Sequence, residues 1–215
     1  LTVANTESIL GNTAADTITL TNALTSATTI NLGAGSDKLT LGNFANTGSV
    51  ANVETIVGGT AADTLVFTGQ IANGSVDLGA GTDKITLGNF VNTLSVSNIE
   101  SVLGNNLTDT VSLGAALTSA QTIDLGGGND RLTLGNFANA GTLSNIETVT
   151  AGTGADTITF ATQIVNGSID LGAGADKVVL SGTGANSATI SNVETIIGGS
   201  ANNTITIGST LTNAS

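Results

Sequence analysis

The chain reads as an all-β protein, a right-handed parallel β-roll or β-helix solenoid, and three observations predict it. The same phrases return every 46–47 residues. The segments between Gly-rich turns alternate apolar and polar residues with period two, and no window sustains a 3.6-residue period. Among 215 residues there are 29 Gly and no Pro, so turns are plentiful and no strand lacks an N–H for its ladder.

The repeat carries the rest of the reading. LGAGSDKLTL at 32–41 returns as LGAGTDKITL at 78–87, LGGGNDRLTL at 125–134 and LGAGADKVVL at 171–180, in steps of 46, 47 and 46. A second phrase alternates with it: GNTAADT at 11–17, GGTAADT at 58–64, GNNLTDT at 104–110, AGTGADT at 151–157 and GGSANNT at 198–204. An N-x-E block precedes each of these, at Asn5/Glu7, Asn52/Glu54, Asn98/Glu100, Asn145/Glu147 and Asn192/Glu194. A longer period of 93 relates ALTSA at 23–27 to 116–120 and QIANGSVDL at 70–78 to QIVNGSIDL at 163–171. Two repeats thus make one super-unit. The chain opens at Leu1 and stops at Ser215 in mid-pattern, which predicts one solenoid array over 1–215 belonging to a longer repeat protein.

Each element follows in order. Thr17-Ile18-Thr19-Leu20, Thr29-Ile30-Asn31-Leu32 and Lys38-Leu39-Thr40-Leu41 each put two apolar residues on one face, the pattern of a half-buried strand. Each repeat has two Gly-rich turns ending in Asp, at Asp16, Asp37, Asp63, Asp83, Asp109, Asp130, Asp156 and Asp176, with Asn203 at the last equivalent position. With every Asp turn on one edge, a coil is about 20–27 residues. About nine such coils stack as parallel strands ~4.8 Å apart. Val50, Val53 and Ile56 break the period of two, so a bulge or corner is expected at the N-x-E block. Phe44, Phe90 and Phe137, each in a GNF triplet, and Phe67 and Phe160 are expected to pack in the core or at corners.

The composition excludes several function classes. With no Cys or His there is no disulfide, zinc or haem site and no imidazole base. Sixteen acidic against four basic residues, net −12, argue against nucleic acid and anionic membranes. No window approaches the ~20 apolar residues of a membrane-spanning helix. An enzyme, such as a β-helical polysaccharide lyase, finds no irregular cluster of catalytic groups here.

Every charge belongs to a repeat column. Eight Asp sit in the turns; Asp77, Asp124 and Asp170 lie six residues before a turn Asp, where the first unit has Asn31. All five Glu are in N-x-E blocks, and Lys38, Lys84, Arg131 and Lys177 each follow a turn Asp. Stacked carboxylates ~5 Å apart repel by about 1 kcal/mol in water and by more when part-buried. Calcium relieves this, since it takes 6–8 oxygens from carboxylates and carbonyls, and Gly-rich turns expose carbonyls. The competing reading is that each Asp only caps its own turn, and Asn203 fits it. For the Glu column a solvated strand face is the default reading, against a second ion site or a contact between molecules. The Asn of the same block read as a hydrogen-bonding corner ladder.

These residues resemble the nonapeptide of hemolysin-type calcium-binding (RTX) repeats, G-G-x-G-x-D-x-U-x. Gly33, Gly35 and Asp37 match it, as do Gly79, Gly81 and Asp83, Gly126, Gly128 and Asp130, and Gly172, Gly174 and Asp176. The first Gly is replaced by Leu in each, as at Leu32, and Ala61 stands for a turn Gly in the other row. The resemblance implies Ca²⁺ held by turn Asp and Gly residues. It also implies a secreted bacterial protein, outside the cell or on its surface. The family's usual coil is 18 residues with an Asp turn on each edge, so this chain departs from it.

Two functions follow as expectations. One is a calcium-stabilised structural module of a surface layer, fibre or adhesin stalk, associating with copies of itself or adjoining repeats. The other is a surface that binds ice or cell-surface polysaccharide through outward Thr columns such as Thr17, Thr64, Thr110, Thr157 and Thr204.

Overall fold

A computed structural model describes residues 1–209. It is all-β, with no helix among the described residues. The chain divides into two compact units, Leu1–Val111 and Ser112–Ser215. Each is a stack of coils, and each coil gives one strand to each of two parallel sheets.

In the first unit one sheet runs β1 (Thr2–Val3), β3 (Thr17–Leu20), β5 (Lys38–Thr40), β7 (Thr55–Gly59), β9 (Ala72–Gly79), β11 (Thr93–Ser97). Its partner runs β2 (Ser8–Asn12), β4 (Thr29–Gly33), β6 (Thr47–Ala51), β8 (Thr64–Phe67), β10 (Lys84–Thr86), β12 (Ser101–Asn105). The division falls within β13 (Thr110–Leu113). In the second unit the sheets are β15 (Arg131–Thr133), β17 (Thr148–Thr150), β19 (Gly167–Asp170), β21 (Ser187–Ser191), β23 (Thr204–Ile207), and β14 (Thr122–Gly126), β16 (Ala140–Ser144), β18 (Thr157–Phe160), β20 (Lys177–Val179), β22 (Thr195–Ile197).

Period-two alternation works as expected: one residue in two points inward and stacks on its counterpart in the next coil. Ile18, Leu39, Ile56, Val76 and Val96 form one buried column. Ile9, Ile30, Val50 and Phe67 form another. Burying such side chains stabilises the stack by roughly 1.5–3 kcal/mol each. Where the second sheet has Gly48, the side chain of Leu24 fills the space; a Cβ on Gly48 would lie 2.7 Å from Leu24 Cδ2.

Coils run from 17–18 residues, below the expected 20–27, up to 20–22 residues, at its lower end. Hydrogen bonds from one coil to the next span 17 to 22 residues. Some coils are therefore shorter than expected. Each 46–47-residue repeat holds five strands, as β3 to β7 or β15 to β19. Five is odd, so within a unit consecutive repeats start on opposite sheets. The aspartate turns are accordingly not on one edge. In the first unit Asp16 and Asp37 lead into β3 and β5 of one sheet, and Asp63 and Asp83 into β8 and β10 of the other. In the second unit Asp130 leads into β15, while Asp156 and Asp176 lead into the opposite sheet.

The corner expected at the N-x-E block is present. Asn52, Asn98, Asn145 and Asn192 adopt φ of 53°, 53°, 52° and 54°. Asn tolerates this left-handed region better than other side chains. Each Nδ2 donates across one coil at 2.7 Å, to Oδ1 of Asn31, Asp77, Asp124 and Asp170 respectively. That same Oδ1 accepts the N–H of the Gly two residues on, an Asx turn. The three non-turn Asp therefore hold corners.

Candidate functional site

The turn carboxylates sit in columns whose order is the same in both units. In the first unit the column is Leu24, Asn46, Asp63, Asp83, Glu100, one residue per coil. Asn46 Oδ1 accepts the N–H of Leu24 at 2.9 Å, and Asp63 Oδ1 accepts that of Asn46 at 3.0 Å. Asp83 Oδ1 then accepts the N–H of Asp63, and Glu100 Oε2 that of Asp83, both at 2.7 Å. The second unit repeats the order: Asp156 accepts from Asn139, Asp176 from Asp156 and Glu194 from Asp176, at 2.8, 2.7 and 2.6 Å. On the first unit's other edge, Asp37 accepts from Asp16 and Glu54 from Asp37. Asn92 donates to Asp109 there, and in the second unit Asp130 donates to Glu147. Each side chain thus satisfies the turn N–H of the coil before it.

Only one carboxylate oxygen is used this way. Oδ2 of Asp16, Asp37, Asp63, Asp83, Asp156 and Asp176 is buried and meets no donor. Asp63 and Asp156 are 0% exposed, Asp37, Asp83 and Asp176 1%. Buried carboxylate oxygens without donors are costly. The charge state responds: burial, reinforced by the neighbouring Asp63 and Glu100 charges, pushes Asp83 up to about 6 against the pull of the Asp63 N–H. Burial likewise raises Asp176, offset by the Asp156 N–H and reinforced by the Asp156 and Glu194 charges. Burial raises Asp109, offset by hydrogen bonds from Asn92.

The turn glycines divide by role. Gly33, Gly79, Gly126 and Gly172 have φ of 91°, 83°, 85° and 83°. A Cβ on Gly79 would also lie 2.2 Å from the Gly59 carbonyl oxygen of the coil before. Gly35, Gly81 and Gly174 face their own turn's Asp, where a Cβ would lie 3.0, 2.8 and 2.8 Å from its Oδ1. Gly128 is the fourth of this row, with φ of 140°.

A cation tests well against this donor set in kind. Hard cations take oxygen, and the orphaned Oδ2 atoms are oxygen acceptors in Gly-rich loops. Among the described residues no group of three or more acidic side chains is placed to share one ion.

One role is not legible in the sequence, and the expected core or corner packing of the phenylalanines divides in two. Glu54, Glu100, Glu147 and Glu194 are not solvated strand-face residues; each is half-buried and closes a column. The signal was their distance of 17 or 18 residues from the preceding turn Asp, one coil. Phe67 and Phe160 are core residues, but Phe44, Phe90 and Phe137 are 41–45% exposed. Their rings lie over the glycine two residues earlier.

The chain matches no family model, no curated protein and no solved structure. No described helix is long and apolar enough to cross a membrane.

Proposed function

We propose that the chain is a calcium-stabilised structural repeat module of an extracellular bacterial assembly: a surface layer, a fibre or an adhesin stalk. The buried Oδ2 atoms without donors carry this reading, because a charged oxygen in that position requires a cation or a proton. When bound, calcium supplies the positive charge that the columns lack. Asp63, Asp83, Asp156 and Asp176 would hold it through Oδ2, with loop carbonyls such as those of the turn glycines. The chain's own work is to hold those oxygens in register through the inter-coil N–H bonds. The coils wind in the right-handed sense that parallel strand crossovers favour.

Folding then follows ion concentration. Where calcium is scarce, the stacked carboxylates repel and the coils are less stable. Where it is abundant, binding energy becomes folding energy. That suits a chain exported unfolded that forms its coils outside the cell and joins adjoining repeats or copies of itself. Far-UV circular dichroism is expected to lose its β signal, or its melting temperature to fall, in excess chelator. An unchanged spectrum and melting curve refute the reading.

The Thr-based surface for ice or polysaccharide finds less support. In the first unit Thr17 lies on one sheet and Thr64 on the other, and each pairs with a lysine, Lys38 or Lys84, in the next coil.

A further inference from the structure

We propose that the asparagine preceding the aspartates in a column is a built-in substitute for the cation, so that only the aspartate positions depend on an ion. This rests on the calcium reading above and adds which turns obey it.

Asn46 and Asp63 use Oδ1 identically, each accepting the N–H of the coil before. They differ at the other atom. Asn46 Nδ2 donates to the carbonyls of Gly42 and Phe44 in its own loop, at 3.1 and 2.7 Å, and to Asp63 Oδ1 at 2.8 Å. Asn92 Nδ2 does the same with Gly88, Phe90 and Asp109, and Asn139 Nδ2 with Gly135, Phe137 and Asp156. Three acceptors thus converge on one –NH₂ group. At Asp63, Asp83, Asp156 and Asp176 the corresponding atom is an oxygen with no donor.

A second observation separates the two kinds of loop. The residue two before Asn46, Asn92 and Asn139 is Phe; before Asp63 and Asp83 it is Ala61 and Gly81, and before Asp156 and Asp176 it is Gly154 and Gly174. Each Phe ring covers its loop glycine; Phe44 Cδ2 is 2.8 Å from where a Gly42 Cβ would lie. The asparagine loops are therefore filled with a donor and roofed by a ring. The aspartate loops have neither.

The test counts bound calcium by equilibrium dialysis and records the fall in melting temperature caused by chelator. D63N/D83N is expected to bind two fewer ions than the wild type, to fold in chelator, and to show a smaller chelator effect. N46D/F44G is expected to bind one more and to show a larger effect. If the wild type responds to chelator but D63N/D83N keeps the wild-type ion count, or fails to fold, the substitution idea is overturned and the calcium reading stands. If the wild type neither binds calcium nor responds to chelator, both fall.

Discussion

Glu100 Oε2 accepts the backbone N–H of Asp83 at 2.7 Å from one coil away, and in doing so places a second negative charge beside a buried carboxylate. The bond and the charge act in opposite directions. E100A removes both and leaves the Asp83 N–H unsatisfied, at a cost of roughly 1–3 kcal/mol. E100Q keeps an acceptor oxygen and removes the charge. Chemical denaturation in chelator is expected to rank E100Q above wild type and E100A below it. A wild-type value for E100A would remove the structural role assigned to Glu100.

The raised turn carboxylates give a pH dependence of defined sign. Asp83 in the folded chain titrates near 6 against an ordinary 3.8, so the fold binds protons more tightly than the unfolded chain. Its stabilising contribution is complete below about 3.8 and disappears as pH rises through about 6. Asp109 and Asp176 shift in the same direction. In chelator the melting temperature is therefore expected to rise on going from pH 7 to pH 5. In saturating calcium the rise should shrink, because the ion does the work of the proton. A melting temperature in chelator that falls over the same range contradicts this.

Leu24 and Gly48 form a size-matched pair, with no room for a Cβ beside Leu24. L24A is expected to cost about 2–5 kcal/mol as a buried large-to-small change. G48A should cost roughly 1–3 kcal/mol by overpacking. The double variant is expected to be more stable than the sum predicts, since the added methyl occupies space that the leucine vacates. Additive losses in thermal or urea unfolding would mean that the two side chains do not share this space.

The corner at Asn52 separates backbone conformation from hydrogen bonding. N52A loses both the tolerance of φ 53° and the bond to Asn31, whereas N52G loses only the bond. The expected order of stability is wild type, N52G, N52A, with about 1–2 kcal/mol between the last two. Equal losses for N52G and N52A would place the whole effect in the hydrogen bond.

Strand faces, parallel stacking, corner asparagines and turn aspartates were all legible in the sequence, because each leaves a local mark. Ile30 and Leu32 alternate with polar neighbours, and Asn52 interrupts that alternation. Coil length left a more ambiguous mark. The 20- and 21-residue gaps, such as Asp16 to Asp37, are single coils, but the 26-residue gap from Asp37 to Asp63 is about one and a half. Reading it as one coil put all the aspartates on one edge. The role of Glu100 is illegible for a related reason: the N–H it accepts lies in a neighbouring coil, and register alone decides it.

The five strands in each repeat give the array a parity. Removing or adding one 46–47-residue repeat preserves every turn sequence, every apolar column and the chain path within each coil. It also moves every later turn to the opposite edge. Within such a stack, a turn therefore keeps its edge only when repeats are added or removed in pairs. The 93-residue step between the two ALTSA segments is the length of one such pair of repeats.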